Sequence, residues 1–111
     1  MNALQLSQQI VQTYERHNWT LRRILVTSGT RNEISQAIEA GLKGVPLIES
    51  DLDALWFARP STRGREAWEL RLLSEQPYAL FEAFDADENE EDRENARREM
   101  EARMREHVSQ R

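Results

Sequence analysis

The apolar residues of the first part of the chain recur with a helical spacing and then with a strand-like one. Leu6, Ile10 and Tyr14 are four residues apart, which predicts an amphipathic helix over residues 3–17. The β-branched and apolar stretch at residues 20–27 predicts a strand. The chain therefore opens with a helix followed by a strand.

A second helix is indicated by its start and stop residues. Thr30 and Glu33 have the spacing of a capping box, in which each side chain satisfies a backbone N–H of the first turn. Gly41 and Gly44, followed by Pro46, predict the end of this helix, because glycine adopts the left-handed conformation common at helix ends. This segment predicts a helix from about residue 30 to residue 41.

The next segment has three strand-like runs separated by turn residues. They cover residues 52–59, 65–73 and 78–84, and the sequences PSTRG and SEQP lie between them. From Asp85 onward the chain is highly charged, with acidic residues first and arginines later, as the helix dipole favours. The predicted order is α-β-α-β-β-β-α. It corresponds to an α+β fold with a mostly antiparallel sheet and a three-strand meander packed by helices.

The length of the chain predicts one domain over residues 1–111. Residues 1–85 are predicted to form its α/β core, and residues 86–111 its long charged helix.

Strand pairing predicts which side chains share a face of the meander. With the first turn centred near Thr62, Trp56 lies opposite Trp68 and both belong to a core face. The same reasoning places Phe81 opposite Leu70 on that face. The other face then mixes charges with bulky apolar groups, and it places Asp53 opposite Arg71 and Glu69 opposite Glu82. Its predicted members are Asp53, Leu55, Phe57, Glu69, Arg71, Tyr78, Leu80, Glu82 and Phe84.

Composition removes several classes of function. The 111 residues include no cysteine, so disulfides, thiolate nucleophiles and cysteine-bound zinc are excluded, and two distant histidines make a histidine-rich metal site unexpected. A net charge of −5 disfavours general binding to nucleic acid. The first residues are too polar for a secretory signal and no long apolar run follows, so we expect a cytoplasmic protein without a membrane segment or a cofactor.

One group of charges resembles a known catalytic pattern. Asp53, sixteen residues before Glu69-Leu70-Arg71, resembles the core motif of the PD-(D/E)xK nuclease superfamily. The resemblance implies a metal-dependent phosphodiesterase with Asp53 and Glu69 as metal ligands, Glu82 as an extra ligand, and Arg71 where the family has lysine. The pattern departs from the family in two places, because Leu52 replaces the usual proline and arginine cannot act as a base.

The alternative interpretation makes the same charges structural, with Asp53 and Arg71 as a cross-strand ion pair. On this interpretation the chain is a small binding or regulatory module without enzymatic activity, and its partner is another protein or a second copy of itself. The loop arginines could hold a phosphate or carboxylate, and the methionines of the last helix offer an adaptable surface. The candidate binding residues are Leu55, Phe57, Arg59, Arg63, Arg65, Tyr78, Met100 and Met104.

Overall fold

The computed structural model of the protein describes residues 2–40 and 44–110. In chain order its elements are helix α1 (Ala3–Arg16), strand β1 (Thr20–Val26), helix α2 (Ser28–Ala40), strand β2 (Leu47–Glu49), strand β3 (Ala54–Pro60), a short 3-10 turn (Thr62–Gly64), strand β4 (Glu66–Leu72), strand β5 (Ala79–Phe84) and helix α3 (Glu90–Ser109).

The five strands form one sheet in the order β2-β1-β3-β4-β5. Strands β1, β3, β4 and β5 pair antiparallel with their neighbours, whereas β2 pairs parallel with β1 after the α2 crossover. The predicted α+β class and the mostly antiparallel sheet are confirmed. The short strand β2 is an addition to the predicted order.

The start of helix α2 differs from the prediction. Helix α2 begins at Ser28 rather than near Thr30, and the carboxylate of Glu33 accepts a hydrogen bond from the backbone N–H of Ala3 at 3.1 Å. Glu33 therefore satisfies an open donor in the first turn of α1, which also has its own capping box between Asn2 and Gln5. The predicted end of α2 at Gly41 lies outside the described residues.

The sheet separates two apolar cores. Helices α1 and α2 cover one face, where Ile10, Ile34 and Phe57 are buried. Helix α3 covers the other face, where Met100 and Met104 pack with Trp56. Because both faces are covered, the central strands read as continuous apolar runs, and Ala54 to Ala58 are all buried. None of the helices in the described part of the chain is long and apolar enough to cross a membrane.

The predicted pairing of β3 with β4 is wrong by two residues. Trp56 pairs with Leu70, and Trp68 pairs with Ala58. The reason is the turn, which is centred on Arg63 with Ser61 and Arg65 hydrogen-bonded across it, and which has Arg63 and Gly64 at positive φ. An even shift keeps every side chain on its face. Trp56 and Trp68 therefore remain in one core as diagonal neighbours, with ring centroids 5.8 Å apart and edge to face.

The predicted pairing of β4 with β5 is wrong by one residue, which exchanges the two faces of β5. Leu70 pairs with Leu80 and Glu69 with Phe81, because the connection between the strands is one residue longer than a symmetric turn around SEQP. Phe84 is consequently buried in the α3-side core, and Leu80 and Tyr78 pack against that core. Phe81 lies on the α1 side of the sheet, where it is 56% exposed.

Candidate protein-interaction surface

The structure separates the charges of the nuclease-like pattern. Asp53 lies just before β3, and its carboxylate accepts hydrogen bonds from the backbone N–H of Thr27 at 2.8 Å and from the Thr27 hydroxyl at 3.4 Å. Arg71 donates instead to the backbone carbonyls of Leu72 and Ser74. The expected pairing of Asp53 with Arg71 is wrong, because Arg71 pairs with Leu55 in the sheet. Asp53 thus fixes the chain where β1 turns into α2.

The two glutamates of the pattern lie on opposite sides of the sheet. Glu69 accepts a hydrogen bond from the phenol of Tyr14 in α1, and burial together with this bond raises the pKa of Tyr14 above its ordinary value. Glu82 pairs with Trp68 on the α3 side and is exposed. Within residues 2–40 and 44–110, no group of three histidine or acidic side chains could hold a metal ion.

Four of the candidate binding residues are core residues. Leu55 and Phe57 are 1% and 0% exposed beneath α1 and α2, and Phe57 stacks on Tyr14 with ring centroids 4.0 Å apart. Met100 and Met104 are 2% and 0% exposed between α3 and the sheet. These side chains hold the two helical layers onto the sheet, so they do not offer a surface to a partner.

The other four candidate binding residues remain at the surface, but they lie apart. Arg63 is at the tip of the β3–β4 hairpin, and Arg65 pairs with Asp85 at 2.8 Å. Tyr78 stacks on His107 of α3 with ring centroids 3.5 Å apart. Arg59 donates to the backbone carbonyl of His17 and lies over the ring of Trp19 at 4.5 Å. The three arginines therefore do not converge on one anion.

A buried arginine of α3 is the main electrostatic feature on the α3 side of the sheet. Arg97 is 1% exposed, donates to the carboxylates of Glu90 and Glu94, and lies 4.4 Å from the centroid of the Trp68 ring. The two carboxylate oxygens of Glu94 also accept hydrogen bonds from the two terminal nitrogens of the Arg23 guanidinium of β1, at 3.0 and 2.9 Å. This cluster joins α3 to the sheet where α3 has few apolar side chains.

This cluster predicts a dependence of stability on pH. The hydrogen bonds from Arg23, and then those from Arg97, lower the pKa of Glu94 from 4.5 to about 2, against the opposing effect of burial. A carboxyl whose pKa is lower in the folded state stabilises the fold above its unfolded pKa, and this contribution disappears as the pH falls to its folded pKa. We therefore expect Glu94→Gln to be less stable than the wild type at pH 7, with the difference shrinking as the pH falls from 4.5 to 2.

Urea unfolding at a series of pH values measures this effect. The matched control is Glu99→Gln, which changes an exposed residue of the same helix and should keep the wild-type slope. A stability difference between Glu94→Gln and the wild type that stays constant down to pH 2 would contradict the assignment.

Strand β5 forms an open edge of the sheet. No described strand pairs with it on its outer side. Because the backbone N–H of Leu72 bonds to the carbonyl of Tyr78, the alternation of an antiparallel ladder directs the backbone groups of the even residues toward β4. The N–H and C=O groups of Ala79, Phe81 and Ala83 consequently point outward. Each of these three residues is exposed.

The large side chain next to this edge on the α1 side, that of Phe81, is apolar and exposed. Phe81 projects beyond the part of the sheet that α1 covers, and its ring meets the edge of Trp19 at a centroid distance of 6.4 Å. Trp19 and Arg59, together with Tyr14, line a cavity of about 320 Å³ between α1 and the sheet. We call Ala79, Phe81 and Ala83, with Arg59, the β5 surface, and the buried Trp19 supports Phe81 from the α1 side.

Strand β5 has few of the features that keep a sheet edge from pairing with another chain. Proteins commonly protect an edge strand with a charge pointing inward, a proline, a bulge or a covering helix. Strand β5 has six residues, contains no proline and pairs with β4 without a bulge. The residues whose backbone groups point outward are two alanines and a phenylalanine, and the one charged side chain of the strand, Glu82, lies on the α3 side of the sheet. Such an edge is suited to pairing with another strand.

Sequence reasoning missed Phe81 as a surface residue because aromatic side chains in a strand are usually buried, whereas Trp19 is buried at 8% exposure. The available signal was the number of residues in the β4–β5 connection. Whether this number is odd or even decides whether Phe81 or Phe84 faces the α3-side core. Only Arg59 was both predicted to bind and found on the β5 surface.

Comparison of the chain with protein-family models, with curated proteins and with solved structures gives no match.

Proposed function

We propose that the chain is a cytoplasmic protein-binding module, and that the β5 surface receives an extended segment of its protein partner as a sixth strand. In this mode the main-chain hydrogen bonds supply affinity, and the side chains beside the edge supply selectivity. Phe81 gives the partner an apolar contact and is supported by the buried Trp19, and Arg59 gives the partner a positive charge at the rim.

The observation that supports the proposal is the open edge beside an exposed aromatic. Phe81 has the largest exposed fraction of the bulky apolar residues whose exposure the structure describes, ahead of Ile48 at 40% and Val108 at 37%. An exposed aromatic next to outward backbone donors and acceptors combines the two features of strand addition in one place. The opposite edge, β2, has only three residues.

The phosphodiesterase alternative has less support. Glu82 lies on the opposite face of the sheet from Glu69, and both Asp53 and Glu69 are already hydrogen-bonded to protein groups. A metal-dependent hydrolase needs carboxylates that converge on one ion. We therefore propose binding in preference to catalysis.

Affinity capture from cells that encode the chain tests the proposal. The bait is the whole chain, and the informative variant is Phe81→Arg, which adds a charge where the partner would pack. We expect the wild type to retain a reproducible set of proteins, its own untagged copy included, and Phe81→Arg to lose at least nine-tenths of it, which is about 1.4 kcal/mol or more of binding free energy.

The matched control is Ile48→Arg, which adds the same charge at an exposed apolar residue of the opposite edge strand and should retain the set. A second variant, Ala83→Pro, removes one N–H that points away from β4, so no bond to β4 is lost, and proline is tolerated at such edge positions. It should also weaken capture. A retained set that is unchanged in both β5 variants would rule out the β5 surface as the interface.

A further inference from the structure

We infer that the strand received by the β5 surface is β5 of a second copy, in an antiparallel register centred on Phe81. This inference rests on the proposed function and names the partner. It makes the assembly a two-fold dimer in which the two sheets continue into each other across β5.

The backbone of β5 restricts the possible registers. Because Ala79, Phe81 and Ala83 point their N–H and C=O groups outward, an antiparallel copy must pair these odd-numbered residues with each other. In the register centred on Phe81, Ala79 pairs with Ala83 of the second copy, and Phe81 pairs with its own equivalent. All three outward residues of each copy then exchange both of their hydrogen bonds.

The two neighbouring registers are poorer. Moving the centre to Leu80 places Ala83 opposite Pro77 of the second copy, and proline has no N–H to donate. Moving the centre to Glu82 places this carboxylate directly opposite its own equivalent, and like charges at facing positions destabilise a sheet. In the central register Glu82 faces Leu80 of the second copy, so neither defect arises.

The side chains of β5 are complementary to themselves in the central register. The two Phe81 rings meet at the two-fold axis on the α1 side of the sheet. In the single chain each ring is 56% exposed. Alanines flank the pair on both sides, so small residues leave room for the two rings. The pattern Ala-x-Phe-x-Ala reads the same in both directions, as a two-fold axis through its centre requires.

Light scattering coupled to gel filtration tests the association. The mass of one chain is 13.0 kDa. We expect twice this mass for the wild type and for Ile48→Arg at concentrations from micromolar to millimolar, and the single-chain mass for Phe81→Arg, which brings two cations together at the axis. A wild type with the single-chain mass at millimolar concentration would overturn the inference.

Cysteine pairing tests the register, and the absence of native cysteine makes it clean. Facing residues of a hydrogen-bonded antiparallel pair have Cα atoms about 5.5 Å apart, within the range of a disulfide. Position 79 of one copy faces position 83 of the other, whereas the two positions 79 are about 13 Å apart along the strands. We expect an oxidised mixture of Ala79→Cys and tagged Ala83→Cys to form a mixed disulfide, and neither variant alone to form one.

The outcomes are separable from those of the proposed function. A disulfide formed by either variant alone, or no disulfide in the mixture, would overturn the register centred on Phe81. If the wild type is a monomer but still captures another protein in a manner that depends on Phe81, the second copy is wrong and the proposed function stands. If capture and mass are both insensitive to Phe81→Arg, both proposals fail.

Discussion

Phe57→Ala is expected to lower the free energy of unfolding by about 3–5 kcal/mol, the usual cost of removing a fully buried aromatic ring. Phe57 is 0% exposed in the centre of β3, and it stacks on Tyr14, whose phenol bonds to Glu69. Its loss would leave a cavity beneath α1 and weaken the contact that holds this helix. Urea unfolding followed by circular dichroism at low protein concentration measures the change.

The control is the same substitution on the same side of the sheet. Phe81→Ala truncates a ring that is 56% exposed, so we expect a loss below about 1 kcal/mol, as for most surface substitutions. The two variants separate a phenylalanine that builds the fold from one that is available for binding. Equal losses for Phe57→Ala and Phe81→Ala would mean that Phe81 is a core residue and that the β5 surface is closed.

Arg97→Met is expected to lower the free energy of unfolding by about 2–4 kcal/mol. Hydrogen bonds to charged groups contribute about 1.5–3 kcal/mol, and methionine recovers part of the packing against Trp68. The cost stays below that of a stranded buried charge, because Glu94 keeps Arg23 and Glu90 can turn to solvent from its 73% exposed side chain.

Arg98→Met is the matched control, since it removes the same charge from the next, exposed residue of α3. We expect it to change the free energy of unfolding by no more than about 0.5 kcal/mol. Denaturation of both variants in the same buffer provides the comparison. A loss for Arg97→Met no greater than for Arg98→Met would show that the ion cluster does not hold α3 to the sheet.

Local patterns predicted the elements, and the turns decided where prediction failed. The spacing of Leu6, Ile10 and Tyr14 indicates α1 because helical periodicity depends only on neighbouring residues. The strands of the meander follow from alternation in the same way. Their register depends on turn conformation, and the left-handed Arg63 moved the β3–β4 turn by one residue without an obvious signal in the sequence.

The candidate site could be predicted only in part, because the faces of a strand depend on connection length. The one-residue error in the β4–β5 pairing placed Phe81 in the core and Phe84 outside it. The structure shows the opposite arrangement, with Phe84 buried and Phe81 exposed. The partner of Asp53 was also beyond prediction, because Thr27 is distant in sequence and is brought near by the pairing of β1 with β3. Arg97 is one of many arginines in α3, and only its position over Trp68 distinguishes it.

If copies of the chain pair through β5 as we propose, the shortness of β2 limits how far the assembly can grow. A chain with two equally usable sheet edges can add copies at both ends and form a fibre, whereas a chain with one usable edge is complete once that edge is occupied. Strand β2 has three residues, and β5 has six. Pairing through β5 uses the long edge of both copies at once and leaves only the two short edges outside. The inequality of the two edges therefore favours a finite particle of two chains over open polymerisation.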